Sequence, residues 1–175
     1  MSEASIQIVP YDPAWPEHAA AAIRELQERL PGTFAQIEHI GSTAVPGLAA
    51  KPIIDLMAAA ADLAAVERHE ASLHSLGYHR HVNDMTDRLL YVRDHAYNLH
   101  VVTLASWPGR NQRFFRDYLR EHPEEAARYA ALKRTLAASG IERGEYARAK
   151  TDLIQELTDR ARAQHGLPPI PVWEK

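Results

Sequence analysis

Four residues carry chemical groups that could together bind a phosphate. Gly41, Ser42 and Thr43 follow one apolar segment, and Asp55 lies inside the next. Glycine lets the backbone approach a ligand closely, while hydroxyls and free N–H groups at the start of a helix suit a phosphate. A carboxylate in an apolar strand is costly unless it is paired or bound to a cation. Asp55 beside a bound phosphate would therefore offer a place for Mg²⁺.

The same residues allow a purely structural interpretation. A hydroxyl of Ser42 or Thr43 would cap a short helix, and Asp55 would be buried and hydrogen-bonded to one of the hydroxyls. A Gly-Ser pair alone is common, whereas a Gly-Ser pair followed by a strand aspartate at this interval is more specific. The residues by themselves leave both interpretations open.

The segments around these residues predict a sheet that would position them. Strands are expected over 34–40, 52–58, 89–92 and 98–104, and the last two should form an antiparallel hairpin. Residues 6–9 read as an edge strand or an arm. Helices are expected over 16–30, 63–76, 110–120, 123–140 and 143–164, where apolar residues recur at helical spacing. The predicted fold class is α/β (α+β), with one mixed sheet, helices packed on it and a helical C-terminal part.

Composition narrows the class of protein. The chain has 175 residues, 46% apolar and 25% charged, which suits one soluble domain over residues 1–175. We expect a mainly helical part from about 107 to 165 and a proline-rich tail over the surface at 166–175. A net charge of −3 disfavours non-specific nucleic-acid binding, and the lack of cysteine excludes disulfides and thiolate sites. Without an apolar run of about 20 residues or a signal peptide, a cytoplasmic location is expected.

A longer stretch around the first four residues resembles a known family. Residues 38–55 read EHIGSTAVPGLAAKPIID and are similar to the GrpB (UPF0157) family. Further matches are 11–16 (YDPAWP), 98–101 (NLHV), 115–120 (FRDYLR) with His122-Pro123, and the spacings Tyr129-Lys133 and Tyr146-Lys150. The resemblance extends from about residue 6 to 160. The order strand, Gly-Ser, helix and carboxylate-bearing strand also resembles the nucleotidyltransferase superfamily.

The resemblance implies a nucleotidyltransferase-like fold and a phosphate ligand. A nucleoside triphosphate would be the substrate and Mg²⁺ or Mn²⁺ the metal, with Asp55 and His100 as metal ligands. Asp55, His100 and Lys150 are the implied catalytic side chains. Residues implied in ligand binding are Gly41, Ser42, Thr43, Lys51, Asn98, Arg116, Arg120 and Lys133. GrpB-type domains also occur fused to dephospho-CoA kinases, which associates the family with coenzyme A metabolism.

Met57 is the main departure from the superfamily pattern. Active nucleotidyltransferases carry Asp-x-Asp on this strand, because strand residues two apart point the same way and can share two Mg²⁺ ions. Met57 occupies the second position, and a thioether is a poor Mg²⁺ ligand. A replacement carboxylate would have to come from Glu38 or Asp94. A single-metal site, a different metal on Asp55 and His100, and a binding module without catalysis that takes a nucleotide or coenzyme A all remain open.

Basic residues in the helical part have two interpretations. Arg113, Arg116 and Arg120 form one helical stripe, and such a stripe is usually solvated, as we expect for Arg113. The resemblance gives Arg116 and Arg120 a role in clamping phosphates or a carboxylate. Lys133 and Lys150 lie within apolar stripes of their helices. Their stems could pack while the ammonium groups reach water. Alternatively, both ammonium groups would reach the active site and balance the charge of phosphates or of Asp55.

Overall fold

Two compact units make up the part of the chain that the computed structural model describes, residues 5–172. The sheet unit comprises residues 12–44 and 53–110. The helical unit comprises residues 5–11, 45–52 and 111–172. The loop 45–52 therefore leaves the sheet unit directly after the Gly-Ser turn and returns to it just before Asp55.

A five-stranded mixed sheet is the centre of the sheet unit. Its strands are β1 (Phe34–Ile40), β2 (Ile54–Ala60), β3 (His79–Arg80), β4 (Arg88–Arg93) and β5 (Tyr97–Thr103). The strand order is β1-β2-β5-β4-β3, with β2 and β5 parallel and the other neighbours antiparallel. The predicted fold class and the β4–β5 hairpin are confirmed.

Three helices belong to the sheet unit: α1 (Trp15–Arg29), α2 (Leu63–Glu67) and α3 (Glu70–Ser75). Helix α1 buries Trp15, Ala19, Ala22 and Leu26, a stripe at helical spacing. The single helix predicted over 63–76 is wrong, because it breaks between α2 and α3. The amide of His69 bonds to the carbonyl of Val66, three residues back, so the α-helical ladder is interrupted there.

Three longer helices form most of the helical unit: α4 (Asn111–Glu121), α5 (Pro123–Ala138) and α6 (Arg143–Gln164). They confirm the three helices predicted for this region. Their shared core includes Leu119, Tyr129 and Leu157, and the loop 45–52 adds Val45 and Leu48 to it. The apolar residues of the loop therefore anchor it in the helical unit.

Both ends of the described chain are anchored in the helical unit. Val9 and Ala50 exchange two backbone hydrogen bonds of 2.9 and 3.1 Å, so the segment predicted as a strand or an arm makes one isolated bridge. The tail is exposed to Pro171, as predicted, but it does not simply trail over the surface. Arg162 Nε donates to the Pro168 carbonyl at 2.7 Å, and Val172 is buried. The rest of the predicted tail, 173–175, lies outside the described residues.

Membrane crossing demands long apolar helices. Among residues 5–172, no helix combines the length and the hydropathy that a membrane span requires.

Candidate functional site

Asp55 lies near the start of β2 on a face that changes from polar to apolar along the sheet. Because alternate strand residues share a face, Asp55, Met57 and Ala59 point to the same side. On the neighbouring strand β5, Asn98 pairs in register with Asp55, and His100 pairs with Met57. Asp55, Asn98 and His100 therefore share one end of this face, as the sequence predicted for the latter two.

The Asp55 carboxylate is held by two side chains of β5. Asn98 Nδ2 donates to Asp55 Oδ1 at 3.0 Å, and His100 Nε2 lies 3.4 Å from the same oxygen. The side chains of Asp55 and His100 keep 28% and 18% of their surface exposed. The carboxylate is thus oriented by the protein and remains accessible to a ligand.

Gly41 packs directly against the other carboxylate oxygen. Its φ of 75° is in the left-handed region that glycine adopts without strain. A Cβ added at this position would come within 2.8 Å of Asp55 Oδ2. Glycine therefore meets two requirements here, the backbone conformation and the open space beside Oδ2.

Thr43 shapes the turn between β1 and β2. Residues Ser42–Ala44 form one turn of 3₁₀-helix, in which Thr43 is buried and Ser42 is half-buried. Thr43 Oγ1 donates to the Ile53 carbonyl at 3.2 Å and lies 2.8 Å from His39 Nε2. Because the single hydroxyl proton goes to Ile53, His39 Nε2 must be the donor in the second bond. These bonds tie the Thr43 hydroxyl to the turn, and the ligand-binding role that the resemblance implies for Thr43 stays a prediction.

Met57 fills the position where the resemblance to nucleotidyltransferases implies a second carboxylate. It is buried with Ile40, Ala59, Val102 and Trp107 in an apolar cluster. The alternative carboxylates are Glu38, which pairs with Met57 across β1, and Asp94, which is exposed in the β4–β5 turn. Within residues 5–172, no three His, Asp or Glu side chains are grouped so that they could hold a metal ion.

The residues around Asp55 fit one hard cation better than two. Mg²⁺ in nucleotide sites is often bound by one or two carboxylates, while phosphates and water supply its other ligands. Asp55 meets this minimum, and the missing side chain at Gly41 leaves room beside Oδ2. The described residues around Asp55 do not meet the demands of a two-metal site, because Met57 belongs to the apolar core.

His100 presents only one ring nitrogen to the carboxylate side. Nε2 faces Asp55, whereas Nδ1 is buried and has no hydrogen-bond partner among the described residues. A proton relay through the ring would need both nitrogens to be engaged. His100 is therefore better suited to orienting Asp55, or to sharing a ligand with it, than to shuttling protons.

A cluster of three lysines lies in the helical unit. Lys51 comes from the loop 45–52, Lys133 from α5 and Lys150 from α6, and we call these residues the lysine cluster. Lys133 is only 2% exposed. Burial, together with the nearby positive charges of Lys150, Arg134 and Lys51, lowers the pKa of Lys133 to about 7.

Two buried tyrosine rings support the lysine cluster. The Nζ atoms of Lys51 and Lys150 lie 4.4 and 4.5 Å from the centre of the Tyr146 ring. Lys133 Nζ lies 4.5 Å from the centre of the Tyr129 ring. Burial raises the pKa of Tyr146 to about 12, so its hydroxyl is neutral at physiological pH. Neither ring has a role predicted from the sequence, although each tyrosine precedes its lysine by four residues, about one helical turn.

The arginines of α4 differ from the solvated stripe that is usual for such spacing. Arg116 is 6% exposed, and its Nε donates to Asp117 Oδ1 at 2.8 Å. Arg120 is exposed and lies 3.8 Å from the same carboxylate, and Arg113 is half-buried rather than solvated. Asp117 therefore engages both arginines that the sequence assigned to phosphate.

The predicted site residues fall into two groups, one in each unit. The sheet unit brings together Asp55, Asn98, His100 and Gly41, with Ser42 and Thr43 in the adjoining turn. The helical unit contains Lys51, Lys133 and Lys150 in the lysine cluster, and Arg116 and Arg120 beside Asp117. Each group has its own internal geometry.

Comparison with known proteins identifies relatives along nearly the whole chain. The family model described as GrpB protein matches residues 5–160. A UPF0157 protein of Pseudomonas aeruginosa is 37% identical over 174 residues, covering 94% of this chain and 71% of that protein. The crystal structure of GrpB from Enterococcus faecalis is 28% identical with a TM-score of 0.83, covering 91% of this chain and 99% of that one. A dephospho-CoA kinase of Mycolicibacterium paratuberculosis is 29% identical over 167 residues, covering 77% of this chain but 40% of the kinase.

Proposed function

The chain belongs to the GrpB family, and from this we propose that its sheet unit binds a nucleotide through one divalent cation on Asp55. The observation that carries the proposal is the accessible Asp55 carboxylate beside a glycine that keeps space open next to it. The resemblance of the Gly-Ser turn and the following strand to nucleotidyltransferases supports a nucleotide as the ligand. Ser42 and the backbone of its turn would lie on the phosphate side.

The hydrogen bonds around Asp55 support a preorganised metal ligand. Asn98 Nδ2 donates to Oδ1, and His100 Nε2 is close to the same atom, so one oxygen is fixed and the plane of the carboxylate is set. Partners of this kind orient metal ligands and commonly change metal affinity by about 10–100-fold. Asp55 would bind the cation through Oδ2, and Asn98 and His100 would act as positioning residues.

Mg²⁺ or Mn²⁺ at this position would neutralise phosphate charge and polarise a phosphoryl oxygen. The chain's own contribution is to bind the cation through Asp55 and to keep the neighbouring space clear through Gly41. Met57 supplies no second carboxylate, which favours nucleotide binding over two-metal nucleotidyl transfer. Transfer of a nucleotidyl or phosphoryl group to a small acceptor is therefore the second hypothesis.

The relationship to a dephospho-CoA kinase supports particular test ligands. That protein's name refers to a coenzyme A precursor, and coenzyme A itself carries an adenine nucleotide with several phosphates. Dephospho-CoA and ATP are therefore the first nucleotides to test on this chain. The kinase activity itself belongs to that relative, of which this chain covers 40%.

Isothermal titration calorimetry tests the proposal. ATP, UTP and dephospho-CoA would be titrated with Mg²⁺, with Mn²⁺ and with EDTA into the wild type, Asp55→Asn and Asp94→Asn. Asp94→Asn is the matched control, because Asp94 is an exposed carboxylate in the same unit and asparagine tolerates its φ of 54°. We expect metal-dependent binding that weakens at least about tenfold in Asp55→Asn and is unchanged in Asp94→Asn. Metal-independent binding that survives Asp55→Asn, or no binding of any nucleotide, would contradict the proposal.

A further inference from the structure

Two exposed histidines meet at the edge of the sheet unit. His74 lies in the last turn of α3, and His79 begins the edge strand β3. The centres of their rings are 5.1 Å apart, and the ring planes are inclined by 30°. Neither ring forms a hydrogen bond or an ion pair with another residue of the described chain. Both imidazoles therefore keep their nitrogens available to a ligand.

The end of α3 holds the backbones of the two histidines in place. The Gly77 N–H donates to the His74 carbonyl at 2.9 Å, and glycine tolerates the φ of 88° that this position requires. The Tyr78 N–H donates to the Leu73 carbonyl at 3.0 Å, which completes a Schellman motif. Leu73 and Tyr78, which precede the two histidines in sequence, are fully buried. The fold itself therefore brings the two rings together.

The distance between the rings suits a metal ion bound by both. Two imidazoles that bind one tetrahedral ion, each through an N–metal bond of about 2.0–2.1 Å, have ring centres roughly 5 Å apart. The observed separation is 5.1 Å. Because both rings are exposed, each can rotate about χ2 and aim one nitrogen at a common point without disturbing the core.

We propose that His74 and His79 together bind one divalent transition-metal ion of the Zn²⁺ class. Neutral imidazole is the commonest protein ligand for such ions and favours Zn²⁺, Ni²⁺ and Cu²⁺. Mg²⁺ and Mn²⁺, the ions proposed at Asp55, prefer oxygen ligands. No third His, Asp or Glu of the described residues completes the set, so the remaining coordination positions are open to water.

This pair is a different site from the one around Asp55, and both lie in the sheet unit. His79 pairs in register with Val92, and Val92 pairs with Asn98. Asn98 in turn pairs with Asp55. Three strand spacings therefore separate His79 from Asp55, a distance of about 14 Å that one ion cannot bridge. The inference thus goes beyond the proposed function and does not depend on it.

Calorimetric titration of the whole chain with Zn²⁺, in a buffer without chelators or nucleotide, tests the site. We expect His74→Gln and His79→Gln each to weaken this binding at least about tenfold, because even the loss of an outer-shell partner commonly costs about 10–100-fold in metal affinity. The double variant should bind no more weakly than the worse single variant, since one missing ring already breaks the chelate. His69→Gln, an exposed change beside the start of α3, is the matched control and should leave the affinity unchanged. Asp55→Asn should also leave it unchanged.

Paramagnetic NMR shows which rings bind the ion. The sequence has 10 histidines, and the ring signals missing from His74→Gln and His79→Gln identify the two of interest. A small amount of Cu²⁺ should broaden these two signals together and before that of His69. Zn²⁺ binding that survives both substitutions, that is lost with only one of them or that is weakened equally by His69→Gln would overturn the proposal. The same holds if millimolar Zn²⁺ does not bind, or if Cu²⁺ broadens the histidine signals without preference.

Discussion

The sheet unit and the helical unit surround their partly or fully buried charged side chains with opposite kinds of neighbours. In the sheet unit, Asp55 is partly exposed and is approached by two side chains, Asn98 and His100, that can donate hydrogen bonds to it. In the helical unit, Lys133 is nearly inaccessible, and the charges of Lys150, Arg134 and Lys51 near it have its own sign. The first arrangement is oriented by the protein itself before a ligand arrives. The second places an ammonium group where burial and nearby like charges lower its pKa.

Gly41→Ala should have the largest effect on stability, because it disturbs the oriented carboxylate of Asp55 in the sheet unit. The substitution forces alanine to a φ of 75° and places its Cβ 2.8 Å from Asp55 Oδ2. We expect the free energy of unfolding to fall by about 2–4 kcal/mol, from backbone strain and overpacking together. Urea denaturation measures this loss, and calorimetry should show that metal-dependent nucleotide binding is lost as well.

Gly47→Ala is the matched control for that substitution. Gly47 has a similar φ of 79°, but a Cβ there would meet no atom within 4 Å. It should therefore lose only the strain component, about 1 kcal/mol. Equal losses in the two variants would mean that the contact between Gly41 and Asp55 contributes nothing.

Lys133→Met tests the buried ammonium group of the helical unit. The folded-state pKa of Lys133, about 7, lies below its ordinary value of 10.5, so between these values the unfolded chain binds more protons. The wild type should therefore gain stability as pH rises through this window, by up to about 1.4 kcal/mol per pH unit, and be least stable below pH 7. Between pH 6.5 and 9.5 we expect the free energy of unfolding of the wild type to rise by up to about 3 kcal/mol more than that of Lys133→Met. Urea denaturation at each pH measures both.

Methionine keeps the length and packing of the lysine stem, so the difference between the two pH profiles isolates the charge. Other titrating groups cancel in this difference. Arg148→Met, an exposed change on the same unit, should keep the wild-type slope. A Lys133→Met profile parallel to that of the wild type would show that the ammonium group is solvated in the free protein.

Local sequence patterns predicted the strands and helices that position Asp55. The alternation in β2 and β5 placed Asn98 and His100 on one face, and Met57 marked the missing carboxylate before the structure showed it in an apolar cluster. These features depend on strand periodicity, which the sequence displays directly. The metal and nucleotide assignments remain predictions.

Features that depend on tertiary contacts were not visible in the sequence. The loop 45–52 joins the helical unit through Val45 and Leu48, whose partners are distant in the chain. The break between α2 and α3 follows a change of hydrogen bonding at His69 that leaves the helical spacing of apolar residues nearly intact. The burial of Arg116 likewise follows from packing, because its spacing alone favours a solvated stripe.

The most direct test of the central claim is the position of a bound metal ion. Crystals grown with Mn²⁺ and a non-hydrolysable ATP analogue would locate the ion by its anomalous scattering. We expect a single peak about 2.2 Å from the Asp55 carboxylate, with phosphate oxygens completing the coordination. A nucleotide bound with no ion at Asp55, or an ion held elsewhere while Asp55 contacts only Asn98 and His100, would contradict it.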